Sequence, residues 1–172
     1  MLLASIQCDV KIRTTLVSAV ALLAAVAGAG APAQASSDAA ASPRCRTTQL
    51  KASIGRVDPG AGQRNAPLVF TNTSAKTCWV YGFVGLVMID GNGDVLRTRT
   101  RREKITPHRV TLRPGHQARA RLHWTVVPAA GEKTCPAAAR LMIIPPDEVA
   151  HLEIPFTANV CDNGRIDVTP MK

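Results

Sequence analysis

The sequence predicts an all-β fold in which two antiparallel sheets pack face to face. Short runs of apolar residues alternate with polar residues at a period of two, as in half-buried strands. Clusters of Gly, Pro, Asn and Asp separate these runs and indicate turns. The chain has eight or nine such strand candidates, no long helical pattern and no internal repeat. Two packed sheets are the natural way to bury that many short strands.

Residues 1–35 are predicted to be a secretory signal peptide. Two basic residues precede the apolar run Leu16–Ala27, and Ala33–Ala35 has the small-x-small pattern that signal peptidase recognises. We expect cleavage after Ala35, a linker over 36–44 and one domain over 45–172. The run is shorter than the roughly 20 apolar residues that span a bilayer. With no cysteine directly after it, a secreted chain without a lipid anchor or a transmembrane segment is expected.

Four cysteines remain after that cleavage, because Cys8 leaves with the signal peptide. An even number in an exported chain indicates two disulfides rather than four buried thiols. Composition alone leaves three pairings open. The chain has no C-x-x-C pair, which argues against a zinc knuckle. No cofactor is predicted. The four residues are Cys45, Cys78, Cys135 and Cys161.

The first strands are predicted on either side of a loop. Leu50–Ile54 alternates apolar and polar residues, Asp58–Arg64 is typical of a turn or loop, and a second strand covers Pro67–Thr73. Pro67 is expected at the start of its strand, where no ladder hydrogen bond is lost.

The segment from Cys78 to Asp94 is predicted to provide the packing surface for the other strands. Alternation places Cys78 and Val80 on one face of a strand, and Trp79 and Tyr81 on the other. If the cysteine points inward, the two aromatic side chains point outward, where they are available to a sugar or a partner protein. The alternatives are that a flanking segment covers them or that a bulge inverts the alternation.

A hairpin turn is predicted at the end of this segment, from Asp90 to Asp94. Asp90, Asn92 and Asp94 also have the first three ligand spacings of a calcium-binding loop. Val95 replaces the glycine that such a loop needs, and Arg101 stands where a bidentate Glu belongs. The turn therefore explains these residues better than a metal site.

The clearest alternation in the chain lies between residues 118 and 126. The apolar residues of this segment point to one face, whereas Arg119, Arg121 and His123 point to the other. A strand with a buried face and a basic outer face is predicted. A single helical turn at Pro136–Ala139 and further strands at 141–144, 151–157 and 165–168 follow.

Positive charge is concentrated between Arg97 and Arg121. This segment has nine basic residues and one acidic residue, Glu103, whereas the rest of the mature chain has ten of each. A field of this kind attracts polyanions. We predict that Arg97, Arg99, Arg119 and Arg121 form one face for an anionic ligand if their strands lie in one sheet. The alternative is a solvated surface. Nucleic acid is not expected to be a partner of an exported chain that has no aromatic-rich groove.

No catalytic motif is present. The sequence has no G-x-S-x-G elbow, no H-E-x-x-H zinc motif and no phosphate-binding glycine loop. We therefore expect a non-catalytic protein. A secreted hydrolase remains the alternative, because the residues of a catalytic triad need not be close in sequence. A cleft that holds a nucleophile within hydrogen-bond reach of a base would favour the hydrolase.

The order of these motifs resembles the domain of unknown function 4232 family of exported actinobacterial proteins. The resemblance implies an immunoglobulin-like sandwich, with Cys45 paired to Cys78 and Cys135 paired to Cys161, and it implies no activity. Many relatives are lipoproteins, but this chain lacks the anchoring cysteine. The residues that carry the resemblance are Cys45, Thr71–Thr73, Cys78, Gly82-Phe83, Asp90–Gly93, Leu112–Gly115, Trp124, Cys135, Pro145-Pro146 and Cys161.

Together these observations predict a binding or interaction module at the cell envelope. Its expected partner is an unidentified envelope component, either an anionic wall polymer or another protein.

Overall fold

The computed structural model describes residues 42–172. The predicted signal peptide at 1–35, its cleavage site after Ala35 and residues 36–41 of the predicted linker lie outside the described residues. Within the described part, no helix is long and apolar enough to cross a membrane.

Residues 42–172 form twelve strands, so the prediction of an all-β fold is confirmed. Most strands are short, and a few longer ones build the centre of the two main sheets. The strands are β1 (Leu50–Ile54), β2 (Asp58–Gly60), β3 (Gln63–Asn72), β4 (Cys78–Tyr81), β5 (Gly85–Ile89), β6 (Val95–Leu96), β7 (Arg99–Arg102), β8 (Arg109–Leu112), β9 (Gln117–Thr125), β10 (Ala137–Ile144), β11 (Leu152–Asn159) and β12 (Arg165–Val168).

The strands form two main sheets and one small ladder. One sheet has six strands in the order β1-β3-β9-β12-β7, with β2 paired to β3. The other sheet has four strands in the order β11-β10-β5-β6, and β4 pairs with β8 in a separate ladder. All pairs within these sheets are antiparallel except β12 with β7, which is parallel.

The core lies between the two main sheets, in a β-sandwich arrangement. The alternation predicted for β9 is confirmed, because its apolar side chains are buried and Arg119 and Arg121 are exposed. Trp124 on β9 packs edge-to-face on Phe156 of β11, with ring centres 5.3 Å apart. This contact joins the six-stranded sheet to the four-stranded one and buries two of the largest apolar side chains in the domain.

Both disulfides are present. Cys45 is bonded to Cys78, which ties the segment before β1 to β4. Cys135 is bonded to Cys161, which ties the approach to β10 to the turn before β12. The pairing implied by the family resemblance is therefore confirmed.

The loop predicted at Asp58–Arg64 is a β-hairpin, and Pro67 lies in the middle of β3. The pairing partner of β3 changes at this proline. β1 ends with Ile54 opposite Leu68, whereas β2 begins with Asp58 opposite Asn65. Gly55, between these two partners, donates its N–H to the Pro67 carbonyl at 2.8 Å. Only the return bond is missing, because a proline has no N–H to donate.

The prediction of a helical turn at Pro136–Ala139 is wrong. Ala137 already belongs to β10 and pairs with Asn159 on β11. Alanine favours helix in isolation, but pairing with a neighbouring strand overrides so weak a preference.

A left-handed turn before β12 directs that strand into the six-stranded sheet. Asp162, Asn163 and Gly164 have φ angles of 55°, 54° and 73°. This conformation costs residues with a side chain roughly 1–2 kcal/mol each. The Glu132 carboxylate accepts hydrogen bonds from the N–H groups of Asp162 and Asn163, at 2.9 and 3.1 Å. A Cβ atom at Gly164 would overlap the carbonyl oxygen of Arg97, so only glycine fits there.

Replacing Gly164 with alanine is expected to lower the free energy of unfolding by about 3 kcal/mol or more, because both the φ angle and the overlap oppose a side chain. Gly115→Ala is the matched control. Gly115 also has a positive φ, 77°, but its Cβ would meet nothing within 4 Å. Its cost should stay near 1 kcal/mol. Urea unfolding of both variants measures the difference, and equal costs would contradict this account of the turn.

Candidate functional site

The outer face of the six-stranded sheet carries exposed arginines from β7 and β9. Arg119 and Arg121 occupy alternate positions of β9, and Arg99 and Arg101 occupy alternate positions of β7. β12 lies between these strands, with Arg165 opposite Arg99. Because neighbouring strands are about 4.8 Å apart, β7 and β9 lie roughly 10 Å apart. Three of the four arginines predicted to share a face therefore lie on strands of one sheet.

The fourth predicted residue, Arg97, is exposed but precedes β7 and lies outside the strands of this sheet. Two further arginines of the basic segment are elsewhere as well. Arg109 belongs to β8, in the small ladder with β4, and Arg113 follows β8. The charge that is continuous in sequence is therefore divided between two parts of the molecule.

Carboxylates neutralise part of the charge on the outer face. Arg121 Nη2 lies 2.7 and 2.9 Å from the two carboxylate oxygens of Glu103. Arg99 Nη1 lies 3.7 Å from Asp162 Oδ1. Arg119 donates instead to the side-chain oxygen of Gln117, at 3.1 Å. Charge counting along the segment missed Asp162, because the turn that carries it lies sixty residues beyond β7.

At the centre of this face, β9 places His123 opposite Asp167 of β12. Arg165 donates to both carboxylate oxygens of Asp167, from Nε at 3.0 Å and from Nη2 at 2.9 Å. His123 Nδ1 lies 3.5 Å from Asp167 Oδ2. Burial raises the pKa of Asp167, but the hydrogen bonds and charges of Arg165 and His123 outweigh it and hold that pKa below the ordinary value.

A cleft of about 230 Å³ lies over this cluster, lined by Gln63, Trp124, Thr125 and Asp162 in addition to the three residues just described. The Thr125 hydroxyl donates to the carbonyl oxygen of Gly62, at 3.2 Å, rather than to His123. The Asp167 carboxylate is thus held in an ion pair with Arg165, and the Thr125 hydroxyl is bonded to the backbone. The cleft offers donors and acceptors to a ligand, and it holds no hydroxyl activated by its histidine.

Asn65 stands opposite His123 on β3, and its side-chain oxygen is buried without a hydrogen-bond partner among residues 42–172. No sequence pattern pointed to Asn65, Arg165 or Asp167. Only His123 gave a signal, through its place on the outward face of β9.

The predicted aromatic pair lies away from this sheet, on β4. Trp79 and Tyr81 share the outward face, while Cys78 and Val80 are buried. Trp79 Nε1 donates to the carbonyl oxygen of Ser42, at 2.7 Å, so a flanking segment partly covers this side chain. Tyr81 remains 43% exposed.

Two guanidinium groups pack on the Trp79 ring. The Cζ atoms of Arg44 and Arg109 lie 4.4 and 4.0 Å from the ring centre. Both are close enough for cation–π attraction. The aromatic residue and part of the basic segment, treated separately in the sequence, are thus in contact here.

Acidic groups that resemble metal ligands have other roles in the described residues. Asp90 Oδ1 accepts the N–H groups of Asn92 and Asp94, at 2.9 and 2.8 Å, as expected of a hairpin turn. Glu132 lies beside two cysteine sulfurs, but those sulfurs form a disulfide and its carboxylate binds backbone N–H groups. This donor set fits a structural role.

Replacing Asp167 with asparagine should lower the free energy of unfolding at pH 7 by roughly 1 kcal/mol, because the substitution removes the charged bonds between this carboxylate and Arg165. The value is modest because the pair is partly exposed to solvent. The folded-state pKa of Asp167 lies below the ordinary value of 3.8. Its contribution is therefore complete above that value and is lost as pH falls through the folded-state pKa. Denaturant unfolding of the variant should vary less with pH in the acidic range than unfolding of the parent chain.

Asp94→Asn, in the exposed hairpin turn, is the control and should leave both the stability and its pH dependence nearly unchanged. A variant of Asp167 as stable as the parent at pH 7 would show that the carboxylate does not hold the cluster.

Comparison with known protein families gives one match. The family model described as a domain of unknown function, DUF4232, matches residues 45–172, which is most of the chain. No curated protein matches the sequence. The matched residues begin at the first disulfide cysteine and include both disulfides, the basic outer face and all twelve strands that the structure describes. The chain belongs to the domain of unknown function 4232 family.

Proposed function

We propose that the protein is a secreted, non-catalytic binding module that holds an anionic polymer of the cell envelope. The observation that carries this proposal is the array of exposed arginines on the outer face of the six-stranded sheet. Arg119 and Arg121 stand on β9, Arg99 and Arg101 on β7. The two pairs flank Arg165 on β12.

The geometry of this array suits a polymer. Alternate residues of a strand are roughly 7 Å apart and neighbouring strands about 4.8 Å apart, so the guanidinium groups repeat in two directions. A single small anion would engage one or two of them. A chain with closely spaced phosphate or carboxylate groups engages several at once, and guanidinium binds both groups in a bidentate manner.

The ion pairs on this face leave donors for such a ligand. Five arginines stand against three carboxylates, those of Glu103, Asp162 and Asp167. A guanidinium has five N–H donors, and a carboxylate uses at most two of them. Residues 42–172 contain 19 basic and 10 acidic residues, a net charge of +9, so the whole domain attracts polyanions.

Chemistry at the central cluster supports binding rather than hydrolysis. All four cysteines of the domain are in disulfides, and the Thr125 hydroxyl bonds to backbone. Asp167 is engaged by Arg165 rather than reserved for His123. Two disulfides also fit the oxidising conditions outside the cytosol, where an envelope polymer would be met.

A triple variant, Arg99→Gln with Arg119→Gln and Arg121→Gln, tests the proposal by retention of the full chain on immobilised polyphosphate. We expect the parent to bind more weakly as salt rises. Binding releases the counterions condensed on the polyphosphate, and this release is less favourable at a higher salt concentration. The variant should bind at least about tenfold more weakly at low salt, with a slope of log affinity against log salt smaller by roughly two.

The matched control removes the same charge elsewhere, through Arg56→Gln, Arg97→Gln and Arg113→Gln, all of which are exposed. The control should retain most of the parent's affinity. Equal losses in the two triple variants would show that net charge alone attracts the polymer, and a parent without salt-sensitive retention would overturn the proposal.

A further inference from the structure

A second cleft, of about 300 Å³, lies at the end of β4, and none of the five outer-face arginines lines it. We propose that it binds a pyranose ring that carries a carboxylate group, that is, a sugar acid. The residues that carry the inference are Arg44, Tyr81, Phe83, Arg102 and Asp147, all of which line the cleft.

The walls of this cleft combine aromatic rings with polar groups. Tyr81 is 43% exposed, which is high for so large an apolar side chain, and Phe83 is partly buried beside it. Aromatic rings pack well on the C–H face of a pyranose, since that face is apolar while its hydroxyl groups point sideways. The Tyr81 hydroxyl and the Asp147 carboxylate are suited to bind those hydroxyl groups.

Arg102 supplies the charge that distinguishes a sugar acid from a neutral sugar. Its Cζ atom lies 5.4 Å from the centre of the Phe83 ring, and it forms no ion pair with a described residue. Arg44, the other cation of the cleft, is already paired with Asp147. One unpaired guanidinium, oriented by an aromatic ring, fits one carboxylate in a bidentate pair.

The wall of the cleft that carries Arg44 is joined to β4 by hydrogen bonds and a disulfide. Cys45 N–H donates to the Trp79 carbonyl at 2.9 Å, and Trp79 N–H donates to the Pro43 carbonyl at 3.1 Å, so the segment that carries Arg44 runs beside β4. The Cys45–Cys78 disulfide closes this contact covalently. A site with fixed walls binds a small ligand without the cost of ordering its own side chains.

The loop that carries Asp147 is fixed in the same way. Glu148 accepts hydrogen bonds from both the N–H and the hydroxyl of Thr47, each at 2.9 Å. The cleft volume lies at the lower end of the range for ligand sites, so a single sugar ring fits better than an extended chain.

Chemical-shift mapping of the full chain tests this inference, with glucuronate as the probe, glucose as the neutral control and acetate as the charge control. Glucuronate should cause saturable shifts of the amide signals of Tyr81, Phe83, Arg102 and Asp147. Glucose should bind about tenfold more weakly, because it lacks the bond to the guanidinium. Acetate should cause no saturable shift there.

Two variants assign the roles within the cleft. Arg102→Gln should reduce glucuronate affinity about tenfold, to the level of glucose, and leave glucose binding unchanged. Tyr81→Ala should weaken the binding of both sugars, while Arg113→Gln, at an exposed arginine outside the cleft, should change the binding of neither.

The inference is overturned if glucuronate causes no saturable shift at the residues of the cleft, if acetate binds as tightly as glucuronate, or if Arg102→Gln binds glucuronate like the parent. None of these outcomes depends on polymer binding at the outer face, because Arg99, Arg119 and Arg121 do not line the cleft.

Discussion

The position of β12 between β9 and β7 is the constraint on which the six-stranded sheet depends. β12 pairs antiparallel with β9, where Asp167 faces His123, and parallel with β7, where Arg165 faces Arg99. Among the described residues it is the strand that joins the other two. Without it, the arginines of β7 and β9 would lie on separate sheet edges instead of forming one surface.

The left-handed turn before β12 makes this position possible. Asp162 and Asn163 adopt a conformation that residues with side chains rarely take, and this cost must be offset locally. Glu132 accepts hydrogen bonds from both of their N–H groups. Backbone hydrogen bonds, of which the one from Ala129 has the largest effect, lower the pKa of the Glu132 carboxyl group, although burial opposes this shift. The neighbouring disulfide at Cys161 anchors the turn to the approach of β10. Contacts between residues distant in sequence thus stabilise the strained turn. This turn then places β12 between β9 and β7.

Sequence patterns predicted the parts of this structure that are written locally. The alternation along β9 identified the outward arginines, and the Asp90–Asp94 segment identified a hairpin. The parallel pairing of β12 was beyond such reasoning, because its four residues carry little periodic signal and its partner β7 lies more than sixty residues away. For the same reason the carboxylates of Asp162 and Asp167 were not expected among the arginines, and Arg97 was expected there. Pairing of the cysteines required the family resemblance, since composition left three arrangements open.

Chemical-shift mapping with a short polyphosphate tests most directly whether β7, β9 and β12 present one anion-binding face. The structure predicts that the side-chain Nε–Hε signals of Arg99, Arg101, Arg119 and Arg121 shift together on titration and return towards their free positions as salt is raised. Shifts confined to Arg109 and Arg113, or equal shifts at every exposed arginine, would contradict the proposal that this sheet face is the binding surface.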